Sequence, residues 1–474
     1  MKQFEHRMNH DESAFALARA ASERKMLAAG ATAHCIEAFL KTLDALREAG
    51  AGFMPESTLA PVADLPCLED LPAATGTGLL EKLVIIKLNG GLGTKMGLDF
   101  AKSLIRVKGD QSFLDFIARQ ILWMREHYHS QGPAFLLMDS FRTQRDTIEY
   151  LARYPGLSLP GFPLDFLQSK VPKVDLETLQ PVSYPADPDL EWCPPGHGDI
   201  YPSLADSGLL DKLLAQGIEF AFVSNSDNLA ATVDLPLLDY FAGSGLGFLM
   251  EVAERTETDR KGGHLARRLS DGRLALREVA QCPAGDKAHF ESDRHRFFNT
   301  NNLWINLPEL RRNLHQLALP IIKNVKPVNP QDPSSQKVMQ LETAMGAAIQ
   351  CFERAGAIVV PRTRFSPVKD TADLLALRSD AYEVTADVRL ELAARRAGEP
   401  PVIKLDPAHY SQLADFEKGF AEGAPSLIAC EEISVEGQWN FSPGVVCEGQ
   451  VKFVNETREP RTAPPGHFCG QVVR

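Results

Sequence analysis

The chain has 474 residues, 44% hydrophobic and 24% charged, which suits a globular protein with cores for two or three domains. Its formal net charge of −12 repels polyanions, so it is no general binder of nucleic acid or anionic membrane. Eight scattered cysteines with no C-x-x-C pair read as reduced thiols rather than a disulfide frame or zinc site. The opening stretch, MKQFEHRMNHDESAF, is charged where a signal peptide would be apolar, and no run reaches membrane-spanning length. A cytoplasmic location is expected. Residues 11–49 carry apolar positions at helical spacing (Phe15, Ala18, Ala21; then Ile36, Phe39, Leu40, Leu43), with Gly30 and Gly50 as stops. A proline-dotted stretch from Pro55 to Thr77 follows, so residues 1–80 form a helical lead-in.

Residues 81–400 read as one catalytic domain in which strands and helices mostly alternate. Strands are expected at Leu83–Leu88, Leu104–Val107, Ala134–Met138, Leu164–Leu167 and Phe220–Val223. Helices are expected at Phe113–His127, Thr143–Arg153 and Leu204–Leu214. That alternation implies an α/β fold with a mixed, mainly parallel sheet flanked by helices. Leu246–Val252, Leu274–Val279 and Phe297–Ile305 add strands with little helix between them, an antiparallel patch. Residues 401–474 differ. Ile433, Trp439, Val445 and Val451 recur every six residues, as do Val435, Phe441, Cys447 and Phe453. That period fits a short β-helix-like domain; a pair of hairpins is the alternative.

The chain is organised around Leu83–Ser103. A β-branched apolar run ends in Asn89-Gly90-Gly91, with Gly93 and Gly97 close behind and Lys95 and Lys102 on or after the loop. Glycines at the carboxyl end of a buried strand let backbone amides approach a ligand, and the lysines point to a polyphosphate. Spacing excludes two familiar loops. Gly91 to Gly97 has one residue too many for G-x-G-x-x-G, and Lys102-Ser103 follows Ala101 rather than the glycine a P-loop needs. A second strand end, Phe222-Val223-Ser224-Asn225-Ser226-Asp227-Asn228, sets a carboxylate at the same edge. Alone, Asp227 reads first as a turn residue or cap before the Leu235 helix.

The pattern strand–NGGLGT-x-MG–x₄–KS resembles the nucleotide-binding loop of the UTP–glucose-1-phosphate uridylyltransferases, or UDP-glucose pyrophosphorylases. Further segments match that family in order: FLQSKVPK around Gln168, PPGHGD at Pro194–Asp199, SNSDN at Ser224–Asn228, and Lys261-Gly262-Gly263. FNTNNLW at Phe298–Trp304, QLET at Gln340–Thr343 (resembling a helix start) and PRTRFSPVK at Pro361–Lys369 complete the set. The resemblance implies a Rossmann-like nucleotidyltransferase (GT-A-like) fold. It also implies Mg²⁺-dependent transfer of UMP from UTP to glucose 1-phosphate, giving UDP-glucose and pyrophosphate.

By resemblance, Lys102 and Lys369 are catalytic and also touch the nucleotide, with Leu88, Asn89, Gly90, Gly91, Gln168, Gly196, Asn225 and Asp227. Asp227 is the Mg²⁺ ligand, and His197, Gly263, Asn301 and Glu342 face the sugar phosphate. Several positions depart from the family pattern: Lys95 for Ser or Thr, Ala101 for Pro, Asp139 for Asn and Ala230 for Gly. Val325–Lys337 is long and without the usual glycine pair, which bears on whether Lys326 reaches the substrate. Two other readings stay open: a pyrophosphorylase for another hexose or N-acetylhexosamine 1-phosphate, and a non-catalytic nucleotide-sugar sensor. A homo-oligomer is open too; no nucleic-acid or membrane partner is expected.

Overall fold

The computed structural model describes residues 12–47, 52–256, 259–260, 262–396 and 399–474. The charged opening stretch up to residue 11, the stop at Gly50 and Lys261 lie outside the described residues. Ten strands form the main sheet. In chain order they are β1 (Leu59–Ala60), β2 (Leu83–Asn89), β3 (Ala134–Asp139), β4 (Asp165–Leu167) and β5 (Phe220–Asn225). Then come β6 (Phe248–Glu254), β7 (His264–Arg268), β8 (Leu274–Arg277), β9 (Phe297–Asn306) and β10 (Ala355–Val359). The order across the sheet is β1-β7-β9-β5-β2-β3-β4, with β8 beside β7, and β6 joining β9 to β10.

The four strands β5, β2, β3 and β4 pair parallel. The apolar runs of β5, β2 and β3 explain this: both faces are covered, as parallel strands require, while β4 is the half-exposed edge. Ile85 packs under the Phe113–His127 helix with Phe116 and Ile117, while Val84 and Ile86 meet Leu204, Leu210 and Leu213. The Phe113–His127 helix begins where its sequence says it should. Ser112 and Asp115 form a reciprocal capping box, and Tyr154 donates to Asp115 at 2.6 Å. The expected antiparallel patch is present too, since β9 runs against β5, β6 and β7, and β8 against β7.

The lead-in is helical over Glu12–Ala28 and Ala33–Ala45, and Gly30 ends the first helix at φ +76°. It is not wholly helical, because Leu59–Ala60 adds a strand to the main sheet. Three expectations need correction. Leu204–Leu214 is two helices, Ile200–Asp206 and Leu209–Ala215, parted by Gly208 in a left-handed conformation. The strand expected at Leu104–Val107 is Arg106–Lys108, because Lys102–Leu104 is a tight helical turn. Glu342 starts no helix; Lys337–Thr343 is a strand paired antiparallel with Ile321–Pro327. The unusual 325–337 segment is thus largely the turn of that hairpin.

In the tail, Val402–Leu405, Ser426–Glu436 and Val445–Val454 pair parallel, which excludes hairpins there. Ile433 lies opposite Val451 and Val435 opposite Phe453, while Trp439–Phe441 pairs parallel with Arg461–Ala463. All eight residues of the six-residue period are buried. They share one apolar cluster with the Phe113–His127 helix.

Candidate active site

The parallel strands end at one rim. From β4 to β9 that edge presents in turn Gln168, Asp139, Asn89, Asn225 and the start of β9 with Asn301. Four strand spacings span about 19 Å, the scale of an extended nucleotide sugar. The glycine loop is closed by its own lysine: the Lys102 amide donates to the Gly91 carbonyl at 3.1 Å. A Cβ on Gly93 (φ +65°) would sit 2.8 Å from Leu98 and 3.3 Å from Lys102 Cγ, so only glycine lets the loop fold over that side chain.

Lys102 Nζ donates to Asp227 Oδ2 at 2.6 Å and also to the Val368 carbonyl. The Val368 amide in turn donates to the Asp227 carbonyl at 3.2 Å. Asn228 ties the same two segments, donating to the Arg364 carbonyl at 3.2 Å and accepting from the Ser366 amide at 3.1 Å. The backbone of Lys369 is thereby fixed beside Lys102 and Asp227. Its exposed side chain lies over Phe365, with Nζ 5.9 Å from the ring centre. Asp227 Oδ1 is buried with no hydrogen-bond partner. A carboxylate oxygen without a partner beside a glycine loop suits Mg²⁺, which takes one or two carboxylates and completes its shell with phosphates and water. Among the described residues no cluster of three or more His, Cys, Asp or Glu could cage a metal by itself.

Gln168 meets the loop directly. A Cβ on Gly90 would lie 2.4 Å from Gln168 Nε2, so glycine here makes room for the amide. Asn89 spends its side-chain NH2 within the protein. Its buried Nδ2 is committed to Asp139 Oδ1 at 2.7 Å and Thr147 Oγ1 at 2.9 Å. Asn225, Leu88 and Gly91 lie on the same rim, with Asn225 opposite Leu88 in the parallel register.

Gly196 (φ +83°) presses on the Lys337–Thr343 strand; a Cβ there would be 2.4 Å from the Thr343 carbonyl oxygen. The Thr343 amide donates to the Pro195 carbonyl at 2.8 Å. His197 Nδ1 accepts from the Met345 amide at 3.0 Å. Burial lowers the His197 pKa, with Glu342 pulling weakly the other way. The ring is therefore neutral with its proton on Nε2, a donor suited to a phosphate or hydroxyl oxygen. Glu342 sits 3.4 Å from Lys326, so the two form an ion pair across the hairpin. Asn301 has φ +59° at a bulge between β6 and β9, braced by paired amide contacts with Asn299. A non-glycine residue held there marks a constrained position.

Two features were not foreseen. A Cβ on Gly263 would lie 2.6 Å from Glu278 Oε2, and burial raises the Glu278 pKa. That carboxyl reaches Gly263 through the pairing of His264 with Arg277. No local signal in the sequence announces it. Behind Lys369, Arg364 forms a two-pronged pair with Glu251, both contacts at 2.9 Å, and Glu251 is fully buried. A carboxylate inside the apolar run Leu249–Ala253 was the available sign.

A family profile for UTP–glucose-1-phosphate uridylyltransferase matches residues 37–448. The chain belongs to that family. A UTP–glucose-1-phosphate uridylyltransferase of Encephalitozoon cuniculi is 41% identical over 399 residues, covering 83% of this chain and 78% of its own length. Among solved structures, UDP-glucose phosphorylase from Trypanosoma brucei superimposes with a TM-score of 0.88 at 47% identity, over 96% of this chain and 99% of that one. A mutant UDP-glucose pyrophosphorylase from Leishmania major, in complex with UDP-glucose, gives 0.89 at 45% identity, over 96% and 98%. Similarity of this extent covers the whole rim, from the glycine loop to the segment carrying Lys369. Among the described residues no helix is long and apolar enough to cross a membrane.

Proposed function

We propose that this chain transfers UMP from UTP to glucose 1-phosphate, releasing pyrophosphate and forming UDP-glucose. The observation that carries the reading is the Lys102 ammonium, held between Asp227 and the segment of Lys369 at the rim of a family fold. A phosphate oxygen of the sugar attacks the α-phosphorus of UTP as the bond to the β-phosphate oxygen breaks. That nucleophile is already an anion, so neither a general base nor a covalent intermediate is required. Mutual repulsion of the polyanions and charge build-up at the α-phosphorus oppose reaction, so positioning and electrostatic stabilisation are the expected means.

Lys102 neutralises the UTP phosphates and Lys369 stabilises the charge at the reacting centre. Amides of Leu88–Gly91, with Asn225, hold the nucleotide, and Gln168 with Gly196 receives the base. His197, through Nε2–H, and Gly263, Asn301 and Glu342 hold the sugar phosphate. Mg²⁺ is the proposed cofactor; Asp227 would hold it through Oδ1, and the ion would neutralise phosphate charge. We assign residues 1–80, 81–400 and 401–474 to lead-in, catalytic and C-terminal parts, in a cytoplasmic protein. The C-terminal part is proposed to be a short β-helix. Partners such as Ile433 and Val451 are three six-residue faces apart, which supports a coil of three sides.

The test is pyrophosphate release from a panel of nucleoside triphosphates and sugar 1-phosphates with Mg²⁺. UTP with glucose 1-phosphate should be the fastest pair. A faster N-acetylhexosamine 1-phosphate would move the assignment to another sugar, and binding without release would make the chain a sensor.

A further inference from the structure

Asp139 ends β3, next to the glycine-loop strand, and is fully buried. Its Oδ1 accepts from Asn89 Nδ2 at 2.7 Å and from Thr143 Oγ1 at 3.1 Å. Its backbone carbonyl accepts the Gln168 amide at 2.8 Å. One residue thus fixes the start of the glycine loop and the neighbouring residue whose side chain packs on Gly90.

Its other oxygen, Oδ2, is buried with no hydrogen-bond partner. An ionised carboxylate with an orphaned oxygen in a dry site is costly. The facing groups from β2 and from the Gln144–Leu151 helix and its entry, Asn89, Thr143 and Thr147, are uncharged donors that favour the ionised form, but by less than burial opposes it. From β4 comes Asp165, a charge of the same sign that opposes ionisation. Asp165 accepts from Gln144 Nε2 at 2.7 Å, and burial raises its own pKa.

We propose that Asp139 is a positioning residue for the nucleotide and acts as the neutral acid. Protonated, it keeps Asn89, the loop amides and Gln168 in the nucleotide-accepting arrangement; ionised, it loosens them. This rests on the reading that the nucleotide lies along the Leu88–Gly91 loop. Burial lifts the Asp139 pKa to about 7, so the change falls near neutral pH. Because the folded pKa lies above the unfolded one, the neutral share falls as pH rises through about 7, and nucleotide affinity falls with it. The Asp139 contribution to folding stability likewise declines between about pH 4 and about pH 7 and is level above that.

The experiment is calorimetric titration of wild type, Asp139→Asn and Asn89→Ala with UTP and Mg²⁺ at about pH 6 and about pH 8. The ratio of wild-type to Asp139→Asn dissociation constants cancels the titration of UTP itself. It should rise about tenfold between the two pH values, while the glucose 1-phosphate KM of wild type does not follow it. Asn89→Ala, which uncouples the loop from Asp139, should bind UTP more weakly and match the pH profile of Asp139→Asn. A wild-type profile parallel to that of Asp139→Asn overturns the proposal. If Asp139→Asn does not fold, a wild-type profile parallel to that of Asn89→Ala overturns it instead. Wild type that binds no UTP at either pH removes the functional reading, and the proposal with it.

Discussion

Lys102 and Asp227 stand 2.6 Å apart, joined through a side-chain contact that closes the glycine loop onto the end of β5. One Asp227 oxygen is spent on that ammonium and the other is buried without a partner. Asp227→Asn keeps the shape and removes the charge. Turnover should fall by about a hundredfold or more, without recovery at raised Mg²⁺. A Mg²⁺ titration of pyrophosphate release checks this; full activity at ordinary Mg²⁺ removes Asp227 as the ligand.

Gly90→Ala tests the base end of the rim. The added methyl meets the movable tip of Gln168 rather than backbone, so stability should change by about 1 kcal/mol or less. The amide must move, however, so the UTP KM should rise and the preference for UTP over CTP should shrink. Competition between the two nucleotides reads this out. An unchanged preference would separate Gln168 from the base.

Glu251 accepts four hydrogen bonds, two from Arg364 and one each, at 3.0 Å, from Asn302 and Trp304. Glu251→Ala takes the carboxylate from the buried Arg364 charge, which keeps only the Thr232 carbonyl, and leaves two further donors without that acceptor. The cost should be about 3–5 kcal/mol of stability, measured by chemical denaturation. Replacing Arg364 by Met as well should cost less than the two single changes added together. A strictly additive double variant would mean the two side chains do not act as a pair.

Local features of this fold were legible in the sequence. The helix Phe113–His127 carries its own capping box, and the run Leu83–Ile86 has the composition of a strand covered on both faces. Lys102, which the resemblance assigns to one site with Asp227 and Lys369, donates to Asp227 and to the Val368 carbonyl. What escaped depends on distant partners. Lys337–Thr343 is a strand because Ile321–Pro327 lies beside it, and its QLET stretch alone suggested a helix start. Glu278 meets Gly263 only through the β7–β8 pairing, and the left-handed backbone of Asn301 exists only within its bulge. Leu204–Leu214 misled for a simpler reason: its apolar spacing runs across Gly208, where the chain turns.

The role of Lys369 is the most exposed part of the mechanism. Its backbone amide donates to Asp373 Oδ2 at 2.6 Å and its neighbour Val368 accepts from Lys102, while its exposed side chain lies over the Phe365 ring. The deciding measurement is UTP affinity and turnover of Lys369→Ala, made on the same preparation. UTP affinity within about threefold of wild type, with turnover lowered by about a hundredfold or more, is the predicted result. Turnover equal to that of wild type would contradict the account.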